Sequence, residues 1–225
     1  TYWSDRAALE WQVEMGATEA ILDTPLNRYE VPEKLVKPVV AAAITAAPPI
    51  PAQIDVDGIA EAKIAAAGAL DLEGLAAALN AFSYCDLKKG ARNMVFAQGD
   101  PAARVMIVGE VPEREEDRAG LPFVGDPRVL LERMFDAIDM AVAHDDAARR
   151  IYLTAALPWP AGSVGPVARD LKMLAPFLER HIALANPEVV ILMGNTACQM
   201  LLGKTGVSRL RGHWSQVMGR PTMVM

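Results

Sequence analysis

Cysteine is scarce in this chain, with Cys85 and Cys198 the only two. Two thiols so far apart supply no disulfide framework and suit a reducing, cytoplasmic setting. Histidine is almost as rare, and His144, His181 and His213 do not fall at metal-ligand spacing, so no metal is assigned. Positive charge is in deficit: 22 Lys and Arg stand against 28 Asp and Glu, a net charge of −6. That sign argues against a general nucleic-acid binder, though it leaves room for a local basic rim. No apolar run approaches the ~20 residues of a membrane span, and no secretory leader is visible. No membrane association is therefore expected. A Gly-rich phosphate loop is also missing after every candidate strand, which disfavours a generic nucleotide-binding domain.

What remains is a chain built to fold. Hydrophobic residues make up 52% and charged residues only 22%, which excludes a disordered composition. Apolar β-type runs at 104–109, 150–155, 188–193 and 221–225 alternate with helix-length segments. This alternation predicts an α/β fold, a three-layer α/β/α sandwich around a four-stranded parallel sheet. Helices are expected over 4–23, with Ser4 as N-cap, over 56–68, and over 72–82 behind the cap Asp71. Further helices are expected over 130–140, with Leu131, Met134, Phe135 and Ile138 on one face, and over 169–184. Another opens with Asn195 as N-cap and ends near Gly203. A helical stretch over 33–47 runs into Pro48-Pro49-Ile50-Pro51, which cannot continue a helix. Residues 1–75 thus read as a helical N-terminal extension with a Pro/Ala-rich linker, and 76–225 as the α/β domain. Lys88, Lys89 and Arg92 precede a β-type run over 93–97.

The stretch over 105–131 carries the chemistry. A buried strand breaks at Gly109 and feeds an acidic loop that runs to Gly120. Pro122-Phe123-Val124-Gly125 follows, and then a helical pattern. Open α/β sheets bind ligands beyond the carboxyl ends of their strands, and a loop of about a dozen residues exceeds what a connection needs. A solvated surface loop is the competing reading of the same residues.

Gly109-Glu110-x-Pro112, Glu116-Asp117, Gly120-x-Pro122-Phe123-Val124-Gly125 and Leu130-Leu131 resemble, without a gap, the first motif of the uracil-DNA glycosylase superfamily. The fourth, iron–sulfur branch is the nearest in pattern, and Leu210-Arg211-Gly212-His213-Trp214 also matches that family's Leu-Arg-Gly-x-Trp segment. The resemblance covers about 76–225. It implies a DNA repair glycosylase that flips a uracil or another deaminated base out of DNA and hydrolyses its N-glycosidic bond. It further implies a stacking role for Phe123, a water-placing catalytic role for Glu110, and a base-facing backbone after Gly109, with Val111, Pro112 and Ala155 beside it. Arg209, Arg211 and His213 are candidates for DNA phosphate. Read by themselves, Phe123 could equally be a core plug, Glu110 a solvated or capping carboxylate, and the basic trio an ordinary surface loop. A monomer is expected.

Several positions depart from the family. Val111 stands for Ala and Glu113 for Gly. Ala155 takes the place of the Asn that would read the uracil edge, and it carries no hydrogen-bonding group. The family's His-containing second motif would lie beyond Met225. Of the four cysteines expected to hold an iron–sulfur cluster only Cys85 is kept; Phe82, Trp159 and Leu174 occupy the aligned positions. One thiolate cannot hold a four-iron cluster, so no cofactor is expected and Cys85 reads as a small buried hydrophobe. The departures also sustain a rival reading, a catalytically impaired DNA- or nucleotide-binding protein on the same fold.

Overall fold

A computed structural model describes residues 2–16, 57–162 and 165–225. The chain divides into two compact units, 1–53 and 54–225. In the first, the described part is helix α1, Tyr2–Glu14, with Arg6 and Glu10 paired one turn apart at 2.8 Å. The expected continuation to residue 23, the helix over 33–47 and the proline linker lie outside the described residues. Among the described residues no helix is long and apolar enough to cross a membrane.

The second unit opens with α2 (Gly58–Gly68) and α3 (Leu72–Ala81). Both are capped as their sequences require, the Asp57 side chain accepting from the Ile59 N–H and Asp71 from that of Gly74. Their apolar residues Ala62, Ala66, Leu75 and Leu79 are buried in one core with Leu171, Leu174 and Phe177. The Arg180 guanidinium donates twice to the carbonyl of Ala69 between the two helices. The compact unit therefore takes in both helices, and the boundary expected at 75/76 falls inside α3.

The sheet has six strands: β1 (Ala97–Gly99), β2 (Val105–Gly109), β3 (Ile151–Ala155), β4 (Val189–Leu192), β5 (Trp214–Val217) and β6 (Arg220–Val224). Their order is β1-β3-β2-β4-β6-β5. The four central strands are parallel and coincide with the four expected ones. Antiparallel β1 and β5 close the two edges. The β-type run expected over 93–97 is displaced, since only Ala97 belongs to β1, and β5 was not expected at all. Both are short and only partly buried, so neither shows the continuous apolar run that marks a strand covered on both faces.

Between β2 and β3 run α4 (Arg114–Ala119) and α5 (Asp126–Asp136); α6 (Ala168–Ala185) joins β3 to β4. After β4 come α7 (Asn195–Leu202) and the single turn α8 (Val207–Leu210). Met106 and Val108 of β2 face the core shared with Leu178, Ile182 and Cys198, whereas Ile107 packs with Leu131 and Phe135 of α5. Helices thus cover both faces, and the three-layer sandwich follows.

Three local expectations change. Ser4 is not an N-cap but lies inside α1, which already includes Tyr2. Helix α5 begins four residues earlier than periodicity suggests, with Pro127 in its first turn, where proline's missing N–H costs nothing. Of its expected apolar face only Leu131 and Phe135 are buried, while Met134 and Ile138 are exposed. Asn195 is not the N-cap of α7. Its side chain instead accepts from the N–H groups of Gly206 and Val207, at 2.9 Å each, and so holds the start of α8.

Candidate functional site

The chain leaves β2 at Gly109, at the carboxyl edge of the sheet. Connections depart in opposite directions from β2 and its neighbour β4, and such a switch point leaves a crevice above the strand ends. A cavity of about 170 Å³ lies there, lined among others by Gly109, Glu110, Val111, Phe123 and Ala155. One water needs roughly 10–15 Å³ on this measure, so the space suits a small organic group. Five residues singled out from sequence meet around it. Pro112 is buried beside the loop without lining the cavity.

Phe123 forms a wall of the cavity in a costly conformation. Its φ of 56° lies in the left-handed region, which bulky residues rarely enter. Glu116 holds it there, one carboxylate oxygen accepting from the Phe123 N–H at 2.5 Å and the other from the Glu113 N–H at 2.8 Å. The ring lies directly against Gly109, where an added Cβ would come within 2.7 Å of Phe123 Cζ. Phe123 also packs against the core cluster that contains Ile107, Leu131 and Leu153. Phe123 is at once a plug on the core and the apolar wall of the cavity. The neighbouring Asp117 is structural: its carboxylate accepts from the N–H groups of Arg92 and Asn93, at 2.8 and 3.2 Å.

Glu110 lines the cavity and also reaches α7. Both its oxygens accept from the Thr196 N–H, at 2.9 and 3.1 Å, which is the capping role assigned to Asn195 from sequence. The approach depends on Gly194, whose added Cβ would sit 1.7 Å from the Glu110 carboxylate. Gly194 also has φ 111° and ψ 166°, backbone open in practice to glycine alone. The N–H groups of Glu110 and Val111, two residues of the cavity lining, donate to no described residue. Ala155 sits opposite Gly109 in the β2–β3 register and presents only a methyl group. Glu113, Glu115 and Glu116 add three carboxylates to that of Glu110, an acidic rim for a cavity whose other lining residues are Gly, Ala, Val, Pro and Phe.

The sequence reading quoted Glu116 and Asp117 as motif letters and missed their work. Glu116 three residues after Glu113 was a partial signal, because a Glu at the third helical position commonly accepts from the N-cap N–H. Gly194 and Thr196 had no signal, since only the fold brings them to Glu110. Arg209, Arg211 and His213 lie around α8 and the start of β5, at the same sheet edge but away from the cavity, all three exposed.

The four positions that the resemblance pairs with cluster ligands converge in space. Phe82, Cys85, Trp159 and Leu174 are each at most 5% exposed and share one apolar core. Phe82 packs edge-on against Phe177 with centroids 5.2 Å apart, and the Lys88 ammonium lies 5.9 Å from the Trp159 ring centre. Burial pushes the Cys85 thiol up, away from the thiolate a metal needs. These residues do not fit an iron–sulfur cluster. Among the described residues no group of three or more His, Cys, Asp or Glu is placed to hold a metal ion.

Comparison with known proteins places the chain in a family. A family model, the uracil DNA glycosylase superfamily, matches residues 96–224. The chain is 31% identical over 134 residues to a type-4 uracil-DNA glycosylase of Archaeoglobus fulgidus, covering 57% of this chain and 64% of that relative. Similar enzymes of Sulfurisphaera tokodaii and Thermotoga maritima, both named type-4 uracil-DNA glycosylase, are 28% and 27% identical and are covered over 59% and 66% of their lengths. The chain spans somewhat less than two thirds of these relatives.

Proposed function

This chain belongs to the uracil DNA glycosylase superfamily, and from that premise we propose that it binds DNA and excises a uracil or another deaminated base. The observation that carries the reading is the meeting of Gly109, Glu110, Val111, Phe123 and Ala155 around one cavity at the carboxyl edge of the sheet. A flipped base slides between the loop after β2 and the Phe123 ring, which stacks on it. The free N–H groups of Glu110 and Val111 donate to a base carbonyl as negative charge develops there. Glu110 holds and polarises the water that meets the sugar cation, with α7 anchoring its carboxylate. Base identity is read weakly, because Ala155 offers the base edge nothing to bond.

Ala155 and the acidic rim also support a second reading, a DNA-binding protein with impaired chemistry. Single-turnover cleavage of single- and double-stranded DNA carrying uracil, hypoxanthine or xanthine decides between the two. The proposal expects measurable excision with modest preference among the bases. Phe123→Ala should weaken binding of damaged DNA by about 1–3 kcal/mol, the worth of one stacked base. Glu110→Ala should lower mainly the rate of the chemical step, and Ala155→Asn should sharpen the preference for uracil. Binding of damaged DNA without excision of any base would leave the second reading standing.

A further inference from the structure

A second concavity, of about 370 Å³, lies on the far side of α4 from the candidate site and is lined by Arg92, Arg114, Arg118, Asp117, Gly90, Pro160 and Gly162. We propose that it is a phosphate-binding cleft for the DNA backbone beside the flipped nucleotide, with Arg92, Arg114 and Arg118 as its cationic ligands. The inference rests on the reading of the chain as a DNA-binding glycosylase.

Three observations converge on it. The first is charge: the net charge is −6, yet three guanidinium groups share one cleft. Arg104, Arg128, Arg149 and Arg150 each have a carboxylate partner. The side chains of Arg92, Arg114 and Arg118 have none, and they make no hydrogen bond to any described residue. Asp117 is the one carboxylate in the cleft lining, and its Oδ1 is occupied by the N–H groups of Arg92 and Asn93. Those same bonds tie the segment carrying Arg92 to α4, and the Asn93 amide strengthens the tie by donating to the carbonyls of Asp117 and Arg118. The three arginines therefore stand on one braced scaffold.

The second observation is helical phase. Arg114 and Arg118 are one turn apart and share a face of α4, whereas Glu113 and Glu116 turn toward the base cavity. One short helix separates cleft and cavity, so the two lie about a helix diameter (~10 Å) apart. The third is position. Arg114 follows the end of β2, and Pro160 and Gly162 follow the end of β3, so the cleft opens at the same sheet edge as the cavity. Arg209, Arg211 and His213 lie at that edge too, beyond β4 and β6 in the strand order. A strand of DNA laid along the edge would meet cations on both sides of the base cavity, and arginine is suited to phosphate through its paired N–H donors.

The test is the salt dependence of binding to an undamaged single-stranded oligonucleotide, followed by fluorescence anisotropy. Each phosphate contact contributes roughly 0.7 to the slope of log K against log salt on single strands. The Arg92→Gln/Arg114→Gln/Arg118→Gln variant is expected to lower that slope by about 2 and to weaken binding at low salt at least tenfold. Replacing all three arginines by Lys should retain most of the slope, which separates lost charge from a damaged fold. Neutralising Lys63 and Arg133, which lie outside the cleft, should leave it unchanged. A triple-Gln variant with the wild-type slope, or a Lys variant as impaired as the Gln one, overturns the cleft. Because the oligonucleotide carries no damaged base, a wild type that fails to excise uracil leaves this result readable. A normal excision rate with an unaltered slope instead removes the cleft alone.

Discussion

At the scale of single residues, the site turns on pairs that only function together. Glu110 and Gly194 are one such pair: the carboxylate occupies the space a Cβ would take, and the backbone there is open to glycine alone. Gly194→Ala should therefore cost on the order of 2–4 kcal/mol of stability, combining an overpacked contact with a strained φ. Removing the obstructing side chain tests this directly. In a denaturation double-mutant cycle, Gly194→Ala should cost clearly less in an Glu110→Ala background than in the wild type. Strictly additive losses would mean that the two residues do not share that space. Glu116 and Phe123 form a second pair, in which a carboxylate with two backbone donors keeps an aromatic residue in a conformation it would otherwise avoid.

At the scale of elements, α3, α6 and the loop after β3 meet at the positions that the resemblance pairs with cluster ligands. Here they meet through aromatic and aliphatic side chains: Phe82 follows α3, Trp159 follows β3, and Leu174 lies on α6. We propose that this packing replaces an iron–sulfur cluster as the tie between those elements. Purified protein should then contain less than one iron atom per chain and lack the visible absorbance of a cluster. It should also keep its thermal midpoint when treated with a chelator. Stoichiometric iron, or a chelator-dependent loss of structure, would show that the apolar contacts do not replace the metal.

At the scale of the whole molecule, the fold sets the titration of His181. His181 is 3% exposed, stacks on Phe96 with ring centroids 4.4 Å apart and shares a 2.8 Å hydrogen bond with the Tyr152 hydroxyl. Burial lowers the His181 pKa to about 4 and raises that of Tyr152 to about 12, so both are neutral near pH 7. Because the folded-state pKa of His181 lies below the unfolded one, the unfolded chain binds the extra proton first on acidification. The resulting stability is complete above about pH 6.5 and is lost as the pH falls toward 4, up to about 3 kcal/mol. Denaturant midpoints of the wild type and His181→Gln should converge over that window, since only the wild type loses this term. Parallel pH profiles would show that His181 is not held neutral.

The sequence alone determined the elements whose signal is local. Continuous apolar runs marked the four parallel strands, Asp71 marked the start of α3, and the gapless motif from Gly109 to Leu131 marked the loop that forms the cavity. Such features depend on period, on capping chemistry and on backbone freedom, all of which are written within a few neighbouring residues. The edge strands were not legible, because a short, half-exposed strand owes its existence to the partner it pairs with. Nor was the partner of Glu110, which lies 86 positions along the chain, or the exchange by which Glu110 caps α7 while Asn195 caps α8. Only the tertiary structure could gather Arg92 with Arg114 and Arg118, or bring Phe82, Cys85, Trp159 and Leu174 into one core. Those contacts join segments far apart in the chain, and their geometry is set by how the sheet orders its strands rather than by any local run of residues.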